Sequence, residues 1–327
     1  MTTLAIFHPT HLVASELRET LDRRRELWDR LHLLSRSEGE IGTLTEVRGE
    51  AAVVAAVDAA SFDGVDVAFF FGPSETYADL LDNLPEGLIA VLMGEDAARH
   101  DGLPVVAALN LEQVTDAATL ASPHPAALAT ALVLDRWLDL APTRATLTVL
   151  QPASLFGNAG LDELLEQTRS MLAFQNRDEE RALPPELAFN LYQHGAGVDG
   201  ILDPLDSLLA PRRTRPIELS AQVVQTGVFH GFGLCLQIAF EDDPGEATLA
   251  QALEDNEHFD LDVHPQRFGP KQAVAQDRIL VGPAQKVRPG IYSVWLAFDN
   301  LTLAGASNAV AILEALVDRL SLGSAAH

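Results

Sequence analysis

Val65-Asp66-Val67-Ala68-Phe69-Phe70-Phe71 follows Phe62-Asp63-Gly64 and stops at Gly72-Pro73. A nearly continuous apolar run closed by Gly-Pro is the pattern of a strand buried on both faces, as in a parallel sheet. Working outward, Leu4-Ala5-Ile6-Phe7, Leu88-Ile89-Ala90-Val91-Leu92-Met93 and Val105-Val106-Ala107-Ala108-Leu109 read as further strands. Over 15–31, Leu17, Leu21, Trp28 and Leu31 recur among charged residues, which predicts a solvent-facing amphipathic helix. Strands alternating with helices predict an α/β fold with a parallel sheet and right-handed crossovers.

Beyond Pro123-His124-Pro125 the pattern changes. A helix is predicted over 126–140, starting at this proline-rich turn. Leu147-Thr148-Val149-Leu150 is strand-like, and Leu161, Leu164, Leu165, Thr168, Met171 and Leu172 mark one face of a helix. Glu218, Ser220 and Gln222 alternate with apolar neighbours, and Leu234, Leu236, Ile238 and Phe240 alternate with Cys235, Gln237 and Ala239. Strands are also predicted over 279–281 and 291–298. Such alternation suits a large, mainly antiparallel sheet with one face covered by helices. Glu241-Asp242-Asp243-Pro244-Gly245 reads as a solvated acidic turn, and Val310, Ile312, Leu313 and Leu316 line a final helix over 308–320.

With 327 residues, 47% of them apolar, the chain suits two packed domains and not a disordered chain. No apolar run reaches the roughly 18 residues of a membrane span. The N-terminal stretch has neither the basic start nor the cleavage site of a signal peptide. Cys235 is the only cysteine, which excludes an internal disulfide and a cysteine-based metal site, so the expected compartment is the cytoplasm. The formal net charge of -25 repels nucleic acid and anionic lipid, so neither nucleic acid nor membrane is an expected partner. Lysine occurs only at Lys271 and Lys286. That acidic, lysine-poor surface fits either a cell with high internal salt or a genome rich in Ala, Gly and Arg codons.

Four stretches carry a resemblance. Ser154-Leu155-Phe156-Gly157-Asn158-Ala159-Gly160-Leu161-Asp162-Glu163-Leu164 is similar to a Ser-Gly-Ala-Gly-Lys-Ala-Gly-Ile-Asp-Glu-Leu segment, and Asp299-Asn300-Leu301 with Gly305-Ala306-Ser307-Asn308-Ala309-Val310 to Asp-Asn-Leu...Gly-Ala-x-x-Asn-Ala-Val. Ala188-Phe189-Asn190-Leu191 and Phe62-Asp63-Gly64-Val65-Asp66-Val67-Ala68 also fit. Both patterns belong to the aspartate-semialdehyde dehydrogenase family, which the chain resembles from its first strand to its last helix. The resemblance implies a Rossmann-type N-terminal domain over 1–124, completed by a C-terminal helix over 306–322. It implies a dimerisation domain over 125–305, with a large mixed, mainly antiparallel sheet. Family members make aspartate semialdehyde from aspartyl phosphate with a nicotinamide cofactor. That chemistry uses a cysteine nucleophile, a histidine acid/base and substrate-holding arginines.

At the positions that the resemblance assigns to these groups, other residues stand. The nucleophile stretch matches Ser122-Pro123-His124-Pro125, which puts Pro125 in place of the cysteine. Phe229-His230-Gly231-Phe232 puts Phe232 in place of the histidine, and Gln225 stands where an arginine is expected. A dinucleotide loop needs glycines for close approach to the pyrophosphate. Here the loop is His8-Pro9-Thr10-His11-Leu12-Val13-Ala14, without a glycine, and Pro9 lacks an amide donor. Arg99 is the loose match to a phosphate-binding arginine. The chain thus most resembles the Usg-like branch, which lacks the catalytic residues. The expectation is a non-catalytic, cofactor-free homodimer whose partners are a second copy and either a small anionic metabolite or an active relative. The alternative is an NADP-dependent semialdehyde dehydrogenase or acyl-phosphate reductase with a rearranged site.

Three features have two readings each. Cys235 is a displaced nucleophile or an inert core residue. His8, His11, His124 and His230 are a metal or anion site, or polar residues filling a vacated pocket. Gly157, Asn158 and Gly160 form an anion-binding turn, or a turn needing glycine angles before a helix whose dipole suits Asp162 and Glu163. Asn300 and Asn308 are expected to cap or bridge backbone near the final helix.

Overall fold

A computed structural model describes residues 2–58, 60–94, 102–114, 119–175, 182–184, 186–193, 197–254, 256–261, 264 and 267–324, with side chains to 318 in the last helix. The chain divides into two compact units, Met1–His124 with Ala304–His327, and Pro125–Leu303.

The first unit holds β1 (Thr3–Phe7), α1 (Leu12–Arg23), β2 (Arg30–Ser35), β3 (Leu44–Val47), β4 (Glu50–Val53), β5 (Ala55–Ala56), β6 (Val67–Phe70), α2 (Ala78–Leu81), β7 (Ile89–Leu92), β8 (Leu103–Pro104), α3 (Ala107–Asn110) and β9 (Thr119–Ala121). Its main sheet is parallel throughout, in the order β5-β2-β1-β6-β7-β9-β8. Successive side chains of a strand point to opposite faces. Leu4, Ile6, Val67 and Phe69 therefore join one cluster, with Leu17 and Leu21 of α1, while Ala5, Phe7, Ala68 and Phe70 join another with Phe62 and Tyr77. Both faces are buried, which is why the 65–71 run lacks alternation.

Two expectations for this unit need correction. The predicted helix over 15–31 is shorter: α1 ends at Arg23, and the Arg24 amide bonds to the Thr20 and Leu21 carbonyls. Leu31 lies in β2 opposite Leu4, and Trp28 folds back so that its indole N–H donates to the Leu21 carbonyl at 3.0 Å. The run 105–109 is not a strand, because α3 starts at Ala107. Two asparagines hold the turn: Asn308 Oδ1 accepts from the Ala107 amide and its Nδ2 donates to the Val105 carbonyl, each at 3.0 Å, while Asn110 Oδ1 accepts from the Val106 amide at 3.0 Å. Asn308 thus bridges backbone, as its motif suggested.

The second unit holds α4 (Pro125–Trp137), β10 (Pro142–Gln151), α5 (Gly157–Leu172), β11 (Leu191–Gln193), α6 (Asp199–Leu209), β12 (Glu218–Thr226), β13 (Phe232–Phe240), α7 (Glu246–Leu253), β14 (Phe259–Asp260), α8 (Pro270–Ala273), β15 (Ile279–Val281), β16 (Gln285–Arg288) and β17 (Ile291–Phe298). Its sheet runs β11-β12-β10-β13-β17-β15-β14, with β16 beside β17. The β10–β12 and β14–β15 pairs are parallel and the others antiparallel. Helix α4 packs against α6, α7 and β13 on the covered face, and its residues Ala126 to Leu134 are buried throughout. A helix apolar on all sides is a core helix. The other face of β10, β12, β13 and β17 presents Thr146, Thr148, Ser220, Gln222, Cys235, Gln237 and Ser293, each at least partly exposed.

The acidic turn 241–245 is not merely solvated. Asp243 accepts bonds from Lys286 Nζ and the Tyr292 hydroxyl, and these partners, Lys286 first, hold its carboxyl down at about 2. The last helix, α9 (Asn308–Ser324), belongs to the first unit, where Ile312, Leu313 and Leu316 join the α1 cluster.

Candidate functional site

In the first unit the β1–α1 loop leaves the sheet beside β2, with Phe7 opposite Leu34. His8 adopts φ 60°, a left-handed conformation normally given to glycine. His11 caps α1, its Nδ1 accepting from the Val13 amide at 3.3 Å, and its ring stacks on Phe71 at 5.8 Å. Burial, then the neighbouring His8, drops the His11 pKa to about 4 against a weaker opposing pull from Glu40, so the ring is neutral at pH 7.

Glu40 closes this loop, and no local sequence pattern announces it. Its Oε2 lies 3.2 Å from His8 Nδ1, and the Thr10 hydroxyl donates to its Oε1. Burial pushes this carboxyl up, but bonds from Ser35, Thr10 and His8 outweigh that and hold it below the usual range. A pyrophosphate is normally held by free amides at glycine positions. Here that cradle has a Cβ at every loop position, a proline without an N–H at Pro9, and a carboxylate bonded across it. These residues do not fit a pyrophosphate.

Arg36 is a second residue that the sequence reading missed. The end of the second strand is where a Rossmann-type sheet reads the cofactor's ribose, and an arginine there suits a 2′-phosphate. Arg36 follows Ser35 directly, and its fork pairs with both Asp79 carboxylate oxygens at 2.7 and 2.8 Å.

In the second unit Pro125 is the first residue of α4, a position where a missing N–H costs nothing. Gln225 and Phe232 lie at one end of β10, on either side of it: Gln151 pairs with Gln225, and Leu150 with Gly233. Gln225 is 1% exposed. Its Oε1 accepts from Gln151 Nε2 at 3.0 Å, and its Nε2 donates to the Gln151 carbonyl at 3.2 Å. Phe232 is wholly buried and stacks on Phe298, centroids 5.3 Å apart and planes 7° from parallel. Each position is filled by a group matched to its neighbours, apolar on apolar and amide on amide.

The neighbouring turn is tied down by backbone. The amides of Ala153 and Ser154 donate to the carbonyls of Val228 and Phe229. Gly231 has φ +82°, and a Cβ there would lie 2.5 Å from the Pro270 carbonyl oxygen. His230 precedes it, half-buried, with Nδ1 lacking a partner. The turn glycines 157 and 160 have backbone reasons: Gly157 has φ +64°, and a Cβ on Gly160 would lie 2.5 Å from the Ala153 carbonyl oxygen. Helix α5 begins at Gly157, earlier than expected, so Glu163 is not an end-of-helix charge. It is buried and accepts from Gln167 Nε2 at 3.1 Å and from the Leu183 amide at 3.0 Å. Asn300 Oδ1 accepts from the Ser154 hydroxyl at 3.3 Å.

Cys235 is not a core residue. It is half-buried on the open sheet face, with Sγ 3.4 Å from the Ser293 hydroxyl. Among the described residues no group of three or more His, Cys, Asp or Glu side chains is placed to hold a metal, so His8, His11, His124 and His230 form no such cluster. Arg99 lies outside the described residues.

No protein-family profile matches the chain. The aspartate-semialdehyde dehydrogenase of Aquifex aeolicus is 26% identical over 335 residues, which cover 96% of this chain and 97% of that protein. The USG-1 protein homolog of Azotobacter vinelandii is 27% identical over 342 residues, with the same coverage of 96% and 97%. A probable aspartate-semialdehyde dehydrogenase of Pseudomonas aeruginosa has the same fold, with a TM-score of 0.84 at 24% identity over 97% of this chain and 98% of that one.

The chain is similar to the aspartate-semialdehyde dehydrogenases.

The relation spans nearly the full length of both partners. It agrees with the resemblance drawn from the 154–164 and 299–310 stretches, and with the expected α/β fold of a parallel sheet plus a mixed, mainly antiparallel one. In dehydrogenase terms, Pro125, Gln225 and Phe232 remain the positions where the resemblance places nucleophile, arginine and acid/base. A USG-1 name carries no activity of its own.

Proposed function

We propose that this chain is a non-catalytic aspartate-semialdehyde dehydrogenase-like homodimer that acts by binding a small anionic metabolite or another protein. The observation that carries this reading is the filling of the vacated positions. Pro125 offers no nucleophilic atom, Phe232 no titratable one, and Gln225 no charge for a substrate carboxylate. Two of the three are sealed in neutral packing, Phe232 on Phe298 and Gln225 on Gln151. Loss of a nucleophile alone removes rate factors of roughly 10⁴–10⁶.

The test is intact-protein mass spectrometry after incubation with aspartyl phosphate, beside an assay of phosphate-dependent NADP reduction with aspartate semialdehyde. The expected result is an unmodified mass and no turnover. A covalent acyl adduct on any side chain overturns the proposal.

A second reading keeps the enzyme, as an NADP-dependent reductase with a rearranged site. Arg36 at the end of β2 is the observation in its favour, and the unfitting pyrophosphate loop counts against it. An NADPH titration separates the two: saturation in the low micromolar range favours the enzyme, and none up to about 100 μM favours the binder.

A further inference from the structure

A cavity of about 290 Å³ opens in the first unit between α1, the residues leading into β2 and the β3–β4 hairpin. Its size is near the lower end of the roughly 300–1,000 Å³ typical of small-molecule sites, so it suits a metabolite of a few heavy atoms beyond its polar groups. It draws on none of the residues discussed above for catalysis or cofactor.

Among the described residues, Arg18 is the one cation lining it. The guanidinium donates from Nη1 to the Thr45 hydroxyl at 2.6 Å, while its Nε is buried without a partner. No carboxylate of the described residues lies within ion-pair distance of Arg18, and burial holds the group below the usual arginine range against a partial offset from Glu19. Buried polar atoms are normally satisfied, so a guanidinium that lines a cavity, carries an unpartnered Nε and bonds only to a hydroxyl is short of acceptors. A planar fork of this kind suits a carboxylate.

The rest of the lining narrows the ligand. Glu19 and Glu46 are exposed carboxylates at the cavity, and Asp22 is already engaged by Arg25 and by the Arg48 amide. A simple anion would meet this acidic rim, and a simple cation would leave Arg18 unsatisfied. Trp28, Leu31 and Val47 supply an apolar wall. The Trp28 ring is fixed by its bond to Leu21 and by Arg48, whose guanidinium sits 3.8 Å from the ring centroid.

We infer that this cavity binds a zwitterionic α-amino acid with an apolar side chain, its carboxylate on Arg18, its ammonium towards Glu19 and Glu46, and its side chain against Trp28, Leu31 and Val47. The inference stands whether or not the chain is an enzyme.

Isothermal titration of the whole protein with L-leucine, L-valine, L-methionine and L-phenylalanine tests it, with tryptophan fluorescence as a second readout. At least one of the four saturates with a dissociation constant below about 1 mM. Its deaminated and decarboxylated analogues (for leucine, 4-methylpentanoate and 3-methylbutylamine) each bind at least about tenfold more weakly, and Arg18→Gln weakens the amino acid by about tenfold or more. Should Arg18→Gln fail to fold, the exposed pair Glu19→Gln and Glu46→Gln serves instead, with weaker binding of the amino acid and unchanged binding of the deaminated acid. The inference is overturned by no saturable binding of any of the four up to about 10 mM, by equal binding of the deaminated acid or of inorganic phosphate, or by affinity unchanged in a folded variant.

Discussion

Phe232 and Phe298 face each other across neighbouring strands, with centroids 5.3 Å apart and planes 7° from parallel. A parallel aromatic pair in a dry environment adds about 0.5–1.5 kcal/mol beyond its area burial. Restoring a histidine at 232 therefore puts a polar ring where both neighbours and solvent exclusion favour a benzyl group. Phe232→His is expected to destabilise the fold by about 2–4 kcal/mol, measured as a lower urea midpoint with an unchanged slope. Combined with Pro125→Cys it is expected to leave phosphate-dependent aldehyde oxidation at background. Full activity in that double variant would show that the site was latent, not lost.

Gln225 gives a second, independent expectation. Gln151 Nε2 donates to Gln225 Oε1, and both side chains are buried. Gln225→Leu removes that acceptor and leaves a buried amide donor unmatched, at a cost of about 1–3 kcal/mol. Gln225→Arg puts an unpaired charge in the same place and costs more, about 3 kcal/mol or above. Equal stability of the Leu and Arg variants, by urea or thermal unfolding, would mean that the end of β10 is wetter than its packing indicates.

The pH dependence follows from His11. Its unfolded pKa is 6.5 and its folded pKa about 4, so the folded state binds the proton less well. The neutral ring's full contribution is present above pH 6.5, and stability falls as pH drops from there towards 4. The slope is at most about 1.4 kcal/mol per pH unit for one group. Asparagine caps a helix without titrating in this range. His11→Asn is expected to flatten the stability profile between pH 6.5 and 4 while changing little at pH 8. A profile equally steep in the variant would assign that slope to other groups.

What the sequence made legible follows the range of the interactions. The 65–71 run reveals its strand because burial on both faces is written in consecutive residues. The open face of the second sheet shows through the alternation of Cys235 and Gln237 with Leu234, Leu236 and Ile238. The 105–109 run misleads because one of the two side chains that hold its turn, Asn308, lies 203 residues from Val105. Glu40 is invisible for the same reason: it meets His8 only after β1 and β2 pair. Arg18 sits among the charges of an amphipathic helix, and only the hairpin carrying Thr45 turns it into the wall of a cavity.

The open face of β10, β12, β13 and β17 bears the proposed homodimer contact. Its side chains already bond in-plane, Thr146 with Ser220 at 2.9 Å and Gln222 Nε2 to Thr148 Oγ1 at 2.9 Å, so it offers a level, polar surface. Cys235 lies on this face beside Ser293, and Gln237 is exposed two residues further along β13. A self-complementary interface brings the same patch of both copies together, and a charge placed there meets its own copy or a desolvated neighbour. Light scattering is expected to give twice the chain mass for the native protein and the single-chain mass for Gln237→Asp. The lone thiol should react slowly with a bulky maleimide in the native protein and quickly in that variant. A native protein of single-chain mass, or a Gln237→Asp protein still of double mass with Cys235 protected, would place the contact on another surface.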